Sequence, residues 1–430
     1  MDNSLKIAVA GLGTVGAGTV RLIQTHAGDL HRRCGRAIEI VAVSARDPGK
    51  DRGISLDGYA FYDDPVAMAN NAGADVVVEL IGGAEGVAKQ VIEAALTSGR
   101  HVVTANKALI ATHGTALARA AEQAGVSLSY EAAVAGGIPI IKTLREGLAG
   151  NAISRVYGIL NGTCNYILSR MRDEGLEFSD VLTDAQKLGY AEADPGVDID
   201  GDDTAHKLAI MAAVAFGREV NIASVHVEGI RHISLEDIRF AEELGFRIKL
   251  LGIASETESG IEQRVHPCMV PLAAPIAGVE GVFNAVVAEG DFIDTLVLEG
   301  RGAGAGPTAS AIAADLVDLA RGDRIATFGV PTDQLKPAQP VTMSGHSGAY
   351  YIRLMVVDRP GVFADVAAAL RDNNVSMESI LQHGRSPGEA VPVILTLHET
   401  GETQALKTID AIAALDGVLE RPVMIRIETL

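Results

Sequence analysis

Short apolar runs recur through the first third of the chain and are separated by longer segments with helix-type spacing. The runs rich in β-branched residues are LKIAVA (5–10), IEIVAVSAR (38–46), ADVVVELIGG (74–83), HVVTANK (101–107) and VSLSYEAAVAGG (126–137). Strands that alternate with helices in this rhythm are typical of a doubly wound parallel sheet. The pattern therefore predicts an α/β domain over residues 1–138.

The first apolar run leads into a glycine-rich turn and then into a helix-like segment, TVRLIQTH. Gly11, Gly13 and Gly16 have the G-x-G-x-x-G spacing. The first glycine makes the tight turn, the second lets a pyrophosphate approach the backbone, and the third allows close packing of helix on strand. With a strand before it and a helix after it, the motif predicts a Rossmann dinucleotide-binding domain. A glycine turn without a ligand is the alternative.

The second strand bears on the choice of cofactor. It ends at Arg46, where an acidic residue that selects an unphosphorylated ribose would be expected. This favours NADP, although the neighbouring Asp47 leaves NAD open, and a solvated arginine is the plainer interpretation. Lys107 and Glu131 follow later strand ends, where ligands gather in such sheets. A solvated loop residue is the alternative for each of them.

A different domain begins near residue 139, because the strand and helix segments there carry no second glycine fingerprint. Within it, DIDGDDTAHK (198–207) precedes LAIMAAVAF, nine residues without a polar side chain. A helix that is apolar on every face is buried. Asp203 and Lys207, four residues apart at its start, lie on one face. We therefore expect this charged turn to border a cavity in an α+β substrate and dimerisation domain, residues 139–302.

Paired charges of this kind suit a binding site for an amino acid. Glu192 and Asp198 would add negative potential for an ammonium group, and Lys207 would give a proton to a carbonyl oxygen. Burial of charge costs several kcal/mol per ion unless the ions are paired or functional, so this charged helix start is a candidate site. A structural ion pair, buried or on the surface, is the competing interpretation.

The last part of the chain contains a linker and a small module. GAGAGPTASAIAADLVDLAR (302–321) predicts a glycine-rich turn and a helix that returns to the first domain over about 303–328, unless the turn is only a hinge. Residues 329–348, rich in Pro, Gly and Ser, indicate a linker. Residues 349–430 then follow a ferredoxin-like βαββαβ pattern. The turn before its first helix exposes amides that suit a carboxylate; its residues are Asp358, Arg359, Pro360 and Gly361.

Charge and composition exclude several classes of partner. The net charge of −19 opposes binding to nucleic acid or to an anionic membrane surface. No apolar run reaches the ~20 residues of a membrane span. Three dispersed cysteines, Cys34, Cys164 and Cys268, argue against a disulfide framework or a zinc site. We expect a cytoplasmic protein without membrane or nucleic-acid partners.

Several blocks together resemble one enzyme family. AQKLGYAEADPGVDIDGDDTAHK (185–207) is similar to the signature segment of homoserine dehydrogenases, and the other matching blocks are GLGTVG, TANKALIATHG, YEAAVAGGIPIIKTL, LNGTCNYIL and GAGAGPTASAIAADL. The resemblance covers roughly residues 5–325. It implies an NAD(P)H-dependent interconversion of L-aspartate 4-semialdehyde and L-homoserine, a step towards threonine and methionine. The DRPG turn with VSMESILQ resembles the ACT domain, a module that binds amino acids.

The resemblance also implies roles for individual residues. The proton donor corresponds to Lys207, the substrate-binding acids correspond to Glu192 and Asp203, and Lys107 lies near the nicotinamide. Further cofactor contacts fall on Thr14, Val15, Thr104, Gly189 and Gly306. A structural monovalent cation such as Na⁺ would be held mostly by backbone oxygens of Glu131, Val134, Gly136 and Ile138.

Regulation and assembly are expectations of the same kind. Threonine is the expected effector of the ACT unit. In the alternative interpretation, the unit binds no effector and serves only in contacts between subunits. Deleting residues 345–430 is expected to leave an active enzyme that threonine no longer inhibits. The expected assembly is a homodimer or homotetramer. Two rival functions are an amino-acid sensor that has lost its catalytic activity and a dehydrogenase for another small amino acid. An enzyme is favoured because the catalytic set is complete, with Lys107, Glu192, Asp203 and Lys207.

Overall fold

The structure is a computed structural model that describes residues 4–384 and 386–430. The first unit is a parallel sheet with helices on both faces. Its strands are β1 Leu5–Ala10, β2 Ile38–Ser44, β3 Ala60–Tyr62, β4 Val76–Glu79, β5 His101–Thr104 and β6 Leu128–Ser129. Its helices are α1 Thr14–Thr25, α2 Ala27–Cys34, α3 Pro65–Asn71, α4 Val87–Thr97 and α5 Lys107–Ala124.

The strands of this sheet lie in the order β3-β2-β1-β4-β5-β6, and every neighbouring pair is parallel. This is the order of a dinucleotide-binding Rossmann fold, in which the crevice for the ligand lies where the order reverses, beside β1. The predicted fold class is confirmed. The apolar runs are continuous because strands such as β4 are buried on both faces.

The second unit contains a mixed sheet with helices packed on one face. Its strands are β7 Ile153–Ile159, β8 His226–Val227, β9 Phe246–Thr257, β10 Gly260–Pro271, β11 Phe283–Gly290 and β12 Asp294–Arg301. Its helices are α6 Ile140–Lys142, α7 Gly162–Glu174, α8 Phe178–Lys187, α9 Gly196–Ile199, α10 Asp202–Phe216 and α11 Leu235–Glu243.

The helix with the long apolar run, α10, is buried along almost its whole length, as its sequence predicts. It ends at Gly217, which takes a left-handed conformation with φ of +58°. Leu208, Ile210 and Met211 contribute to the main hydrophobic core. The charged first turn of α10 is thereby placed at the boundary between the first two units.

After β12 the chain returns to the nucleotide-binding unit through α12 Ala305–Arg321. This helix packs closely on α1, since a Cβ atom at Gly18 would lie 2.9 Å from the carbonyl oxygen of Ala305. Ile312 and Leu316 belong to the same core as the strands of the parallel sheet. The glycine-rich turn before α12 is therefore held against the dinucleotide fold.

The C-terminal unit has the predicted βαββαβ order. Its elements are β14 Ser347–Val357, α13 Val362–Asp372, β15 Met377–Gln382, β16 Ala390–Gly401, α14 Glu402–Ala413 and β17 Val423–Ile427. The strands form an antiparallel sheet in the order β17-β14-β16-β15. The ferredoxin-like arrangement is confirmed.

The sheet of this C-terminal unit continues the sheet of the second unit. β17 pairs with β10 in parallel, with Cys268 opposite Arg426. Eleven strands of the described residues therefore form one sheet, nine of them side by side and two short ones, β8 and the strand formed by residues 340–341, paired with β10. The segment 329–348, predicted as a linker, also takes part in this packing. Its residues Pro340–Val341 form β13 and pair with β10. A proline-rich edge strand lacks hydrophobic periodicity, which is why its composition resembles that of a free linker.

Candidate active site

The three fingerprint glycines differ in what surrounds them. Gly11 has φ of +98°, and a Cβ atom there would lie 2.6 Å from the carbonyl oxygen of Leu80. A Cβ atom at Gly16 would lie 1.9 Å from the carbonyl oxygen of Gly11. Gly13 has no atom within 4 Å of the corresponding position. Two glycines are thus required by the fold, whereas the middle one keeps space open at the end of β1.

Helix α1 begins directly behind this open space. Its N-cap is Gly13, and no side chain caps the helix, so the amides of the first turn at Thr14 and Val15 face the crevice without side-chain competitors. Such a helix start binds phosphate. A cavity of about 660 Å³ lies beside it. The turn and helix therefore fit the pyrophosphate of a dinucleotide.

Basic side chains line the far end of this cavity. Arg46 lines it as predicted, and Lys50 and Arg52 join it. The guanidinium of Arg52 donates from Nε to the carbonyl of Leu12, 3.1 Å away, and from Nη2 to the carbonyl of Asp47, 2.6 Å away. Sequence reasoning missed Lys50 and Arg52, although both follow closely behind Arg46.

Thr104, predicted to contact the cofactor, turns its hydroxyl into the protein. The hydroxyl donates to Glu79, at 2.6 Å, and accepts a hydrogen bond from the amide of Asn106. Glu79 in turn accepts the amides of Ile81 and Gly82. The side chain of Thr104 therefore orders the turns at the edge of the crevice, and only its backbone is left to contact a cofactor.

A second cavity of about 460 Å³ lies between the first two units. It is bounded by the starts of α5, α7 and α10, by the loop after α8, and by the turn before α12. The predicted residues that line it are Lys107, Gly189, Glu192, Asp198, Asp203 and Lys207. The tertiary structure thus brings Lys107 against the segment 189–207.

The centre of this cavity wall is a carboxylate between two ammonium groups. Asp203 Oδ2 lies 2.7 Å from Lys207 Nζ, and Asp203 Oδ1 lies 2.5 Å from Lys107 Nζ. The side chains of Asp203 and Lys207 are only 4% and 9% exposed, whereas that of Lys107 is 40% exposed. The spacing of Asp203 and Lys207 predicted their pairing; the proximity of Lys107 comes from the fold.

The two lysines of this cluster differ in their acidity. Burial lowers the pKa of Lys207 below its ordinary value, despite the opposing charge of Asp203. Burial also opposes the charge of Lys107, but the nearby Asp203 carboxylate outweighs this effect and raises the pKa. Burial would raise the pKa of Asp203, yet Lys207 and Lys107 together hold it well below its usual range. Lys207 therefore releases a proton more readily than Lys107.

Asn161, which sequence reasoning did not single out, organises the acids of the cavity. Its Oδ1 accepts a hydrogen bond from the amide of Cys164 and so caps α7. Its Nδ2 is therefore left to donate hydrogen bonds to Asp198 and Asp203, each at 2.8 Å. The neighbouring carbonyl of Leu160 accepts from Lys207 Nζ at 2.6 Å. An asparagine directly before a helix start was the available signal.

Of the other predicted residues, Glu192, Asp198 and Gly189 line the cavity, whereas Gly306 does not. Glu192 is exposed, and its carbonyl oxygen accepts a hydrogen bond from the side chain of Gln186. Asp198 is half-buried, and burial raises the pKa of its carboxyl group. Gly189 has φ of +75°, and Gly306, in the first turn of α12, has open space where a Cβ atom would be.

The predicted cation loop is a buried turn between β6 and α6. Ala135 and Gly136 have φ of +53° and +51°, a strained conformation for alanine that is often kept for function. The carboxylate of Glu131 accepts the amides of Ile141 and Lys142, and burial raises its pKa to about 7. The described residues contain no cluster of three acidic, His or Cys side chains suited to a metal.

The predicted effector turn lies at the start of α13. Arg359, Pro360 and Gly361 are exposed, and Gly361 is the N-cap with φ of +101° and no side-chain cap. Asp358 Oδ2 accepts the amide of Ser386, at 2.7 Å. The turn therefore presents unpaired helix amides to solvent, as a carboxylate site requires.

Comparison with known proteins identifies the family. The model for homoserine dehydrogenase matches residues 139–317, and its NAD-binding domain model matches residues 11–131. A homoserine dehydrogenase of Neisseria gonorrhoeae is 45% identical over 433 residues, which cover 99% of both chains. One from Pseudomonas aeruginosa is 44% identical, again over 99% of both chains. The chain belongs to the homoserine dehydrogenase family.

Solved structures agree with this assignment. The homoserine dehydrogenase of Thiobacillus denitrificans has a TM-score of 0.93 at 44% identity. The alignment covers 99% of this chain and 98% of that one. That of S. aureus has a TM-score of 0.76 at 29% identity, with coverage of 99% and 100%. The model for the ACT domain matches residues 350–417. As a homoserine dehydrogenase, the protein is an NAD(P)-dependent oxidoreductase with an ACT domain, and the expectation of an enzyme is confirmed.

The described residues contain no helix that is both long enough and apolar enough to cross a membrane.

Proposed function

We propose that the protein reduces L-aspartate 4-semialdehyde to L-homoserine with NADPH, and that Lys207 donates the proton. The observation that carries this proposal is the Lys107–Asp203–Lys207 cluster in a cavity that borders the glycine-rich turn before α12. A hydride acceptor and a proton donor must meet at one carbonyl group. This cavity provides the donor on the side facing the dinucleotide fold.

The bound nicotinamide supplies the hydride. The Lys207 ammonium, held by the carbonyl of Leu160 and by Asp203, transfers a proton to the oxygen of the aldehyde as negative charge develops there. Lys107, with its raised pKa, stays protonated and stabilises the same charge. Asp203 keeps both Nζ atoms in position, and in this role it is part of the catalytic set.

The amino-acid end of the substrate is assigned to the acidic side of the cavity. Glu192 at the rim, with Asp198 and Asp203, gives this side the negative potential that attracts an ammonium group. Asn161 spreads its two N–H groups over Asp198 and Asp203 and limits the repulsion between them. The substrate is thereby oriented with its aldehyde towards the lysines.

NADPH is the proposed cofactor, rather than NADH. The basic group of Arg46, Lys50 and Arg52 beyond β2 suits a ribose phosphate. A hyperthermophilic archaeal homoserine dehydrogenase, 27% identical with a TM-score of 0.63 and covering 73% of this chain, has been solved in complex with NADPH. Titration with both nucleotides tests the preference; equal affinity for NADH and NADPH would contradict it.

Three further features complete the proposal. Backbone oxygens of Glu131, Val134, Gly136 and Ile138 hold a structural monovalent cation, Na⁺ or a similar ion. Threonine binds at residues 358–361 and inhibits the enzyme. The enzyme acts in the cytoplasm as a homodimer or homotetramer.

The substrate assignment is tested by following NADPH oxidation. Aspartate semialdehyde is compared with a panel of other aldehydes and keto acids at equal concentrations. The highest kcat/KM is expected for aspartate semialdehyde. A better substrate within the panel would indicate a dehydrogenase for another small amino acid, and no turnover at all would favour an amino-acid sensor.

A further inference from the structure

The segment that follows β2 carries two basic side chains on a loop without helix or strand. Residues 46–50 form this loop, and all of them are exposed. Its cations, Arg46 and Lys50, line the nucleotide cavity, and neither enters an ion pair or a side-chain hydrogen bond with the described residues. Long side chains on an exposed loop lose conformational freedom when they hold an anion, which weakens binding. A phosphate site here therefore requires that the loop be anchored.

Arg52 provides this anchor. Its Nη2 atom donates to the carbonyl oxygen of Asp47 at 2.6 Å, and its Nη1 atom donates to that of Lys50 at 2.7 Å. Its Nε atom donates to the carbonyl oxygen of Leu12, at 3.1 Å, within the glycine turn. One planar guanidinium group thus joins two points of the loop to the turn that faces the pyrophosphate.

No other hydrogen bond among the described residues ties the loop to the rest of the protein. The carboxylate of Asp47 accepts the amide of Gly49 at 2.9 Å, but this bond lies within the loop. The glycine turn, in contrast, is also held without Arg52, because the amide of Gly11 donates to the carbonyl oxygen of Ser44 at 2.9 Å. Loss of the Arg52 side chain should therefore release the loop and leave the turn in place.

We propose that Arg52 is a positioning residue that selects NADPH over NADH by fixing Arg46 and Lys50 beside the ribose phosphate. The inference rests on the proposed function, because it requires NADPH as the cofactor. It divides the basic group of this cavity into two side chains that contact the phosphate and one that acts through the backbone of the loop. Arg52 takes no part in hydride or proton transfer.

The test measures the dissociation constants of NADPH and NADH by fluorescence titration of the full chain. In Arg52→Met we expect the Kd of NADPH to rise about 10- to 100-fold, the value of a hydrogen bond to a charged group. The Kd of NADH is expected to stay within about threefold of wild type, because NADH lacks the phosphate. Retained binding of NADH also shows that the variant is folded and that its glycine turn is intact.

Arg52→Lys separates positioning from a simple effect of charge. Lysine keeps the positive charge, but one ammonium group cannot reproduce the planar fork that reaches the carbonyl oxygens of Leu12, Asp47 and Lys50. We therefore expect this variant to lose the preference for NADPH as Arg52→Met does. Wild-type preference in Arg52→Lys would show that charge alone matters and would overturn the assignment.

A comparison of combined variants separates positioning from direct contact with the phosphate. In a protein that already carries Arg46→Met and Lys50→Met, Arg52→Met is expected to cause no further rise in the Kd of NADPH, because its effect passes through those two side chains. Adenosine 2′,5′-bisphosphate, which contains the ribose phosphate but no nicotinamide, should show the same dependence. A further rise of about tenfold in the triple variant would overturn the positioning role, because Arg52 would then bind the phosphate itself.

Arg21→Met serves as a matched control. Arg21 of α1 donates to the carbonyl oxygen of Gly53 at 3.4 Å, close behind the loop, but it does not line the nucleotide cavity. Its variant should keep the wild-type preference, and an equal loss there would overturn the specific role of Arg52. Equal affinity of wild type for both nucleotides would remove the proposed cofactor preference together with this inference. A wild-type preference for NADPH that survives in Arg52→Met would overturn this inference alone.

Discussion

At the scale of single residues, one buried carboxylate pairs with two lysines whose pKa values are shifted in opposite directions. Asp203 contacts Lys207 inside the protein and Lys107 at the cavity surface. Burial dominates for Lys207 and lowers its pKa, whereas attraction to Asp203 prevails for Lys107 and raises its pKa. The structure therefore favours Lys207 as proton donor and Lys107 as a permanent positive charge, a choice that spacing along the sequence left open.

Replacement of Lys207 with alanine tests this assignment directly. We expect kcat for aldehyde reduction to fall by about two to four powers of ten, the usual contribution of a general acid. The dissociation constant for NADPH should remain within about twofold, because Lys207 lies outside the nucleotide cavity. Lys89→Ala, on the surface of α4, is the control and should have wild-type kinetics. An unchanged kcat in Lys207→Ala would remove the residue from the mechanism.

The pH profile of kcat provides a second test. Reduction requires protonated Lys207, so its rate is expected to fall as pH rises through a pKa that lies below the ordinary 10.5 of lysine. Oxidation of homoserine requires the neutral amine, and its rate should rise over the same interval. Because the charge of Lys107 lowers the pKa of Lys207, Lys107→Met is expected to shift both limbs to higher pH. Limbs that stay in place would argue against electrostatic coupling between the two lysines.

At the scale of elements, the turn between β1 and α1 contains some glycines that the fold requires and one that leaves space for the cofactor. Gly11 and Gly16 are required by contacts with Leu80 and with each other, whereas Gly13 contacts nothing at its Cβ position. The helix start behind Gly13 has no side-chain cap. Substitution of Gly11 or Gly16 should therefore lower the stability of the protein, whereas substitution of Gly13 should weaken cofactor binding.

A matched pair of substitutions tests this separation. Gly13→Val should leave the thermal midpoint near that of wild type but abolish detectable NADPH binding, because the side chain fills the approach of the pyrophosphate. Gly16→Ala should lower the free energy of unfolding by about 1–3 kcal/mol or more, since its Cβ atom overlaps the Gly11 carbonyl. Thermal denaturation and NADPH fluorescence titration measure the two effects. Loss of stability in Gly13→Val would contradict the interpretation.

At the scale of the whole molecule, the second unit and the ACT unit share one sheet. β17 pairs with β10, and charged side chains are buried at the junction. Asp237 of α11 accepts hydrogen bonds from Tyr351 and Arg353 of β14, while Arg264 donates to Glu428. Removing the C-terminal unit would expose Asp237 and Arg264 to solvent and uncover the edge of β10 that pairs with β17. The expectation that deletion of residues 345–430 leaves an active enzyme stays a prediction, and the shared sheet makes deletion a less specific test of regulation than a point substitution.

Point substitution at the effector turn is the better experiment. Asp358→Ala removes the carboxylate that holds the loop at Ser386. We expect the threonine concentration for half-inhibition to rise at least about tenfold, a typical size for a coupling between sites. The uninhibited kcat should not change, and Asp410→Ala, on the exposed face of α14, should be inhibited like wild type. Equal threonine sensitivity of all three proteins would place the effector site elsewhere.

Much of the architecture was determined by local patterns in the sequence. Runs of β-branched residues predicted the parallel sheet, and the apolar run after Lys207 predicted a buried helix with a charged start. The spacing of the fingerprint glycines predicted the turn at β1. These features are predictable because helix and strand periodicity, and the backbone freedom of glycine, are properties of a few consecutive residues.

Other features were decided only by the tertiary structure. Asn161 bridges to Asp203 across 42 positions of the chain, and the Leu160 carbonyl meets Lys207 across 47. Contacts between distant segments also decide four other features. These are the approach of Lys107 to Asp203, the inward turn of Thr104, the unpaired oxygen of Asn284 and the union of two sheets. No local pattern encodes them, because each depends on how distant segments pack and on which polar groups that packing leaves without water.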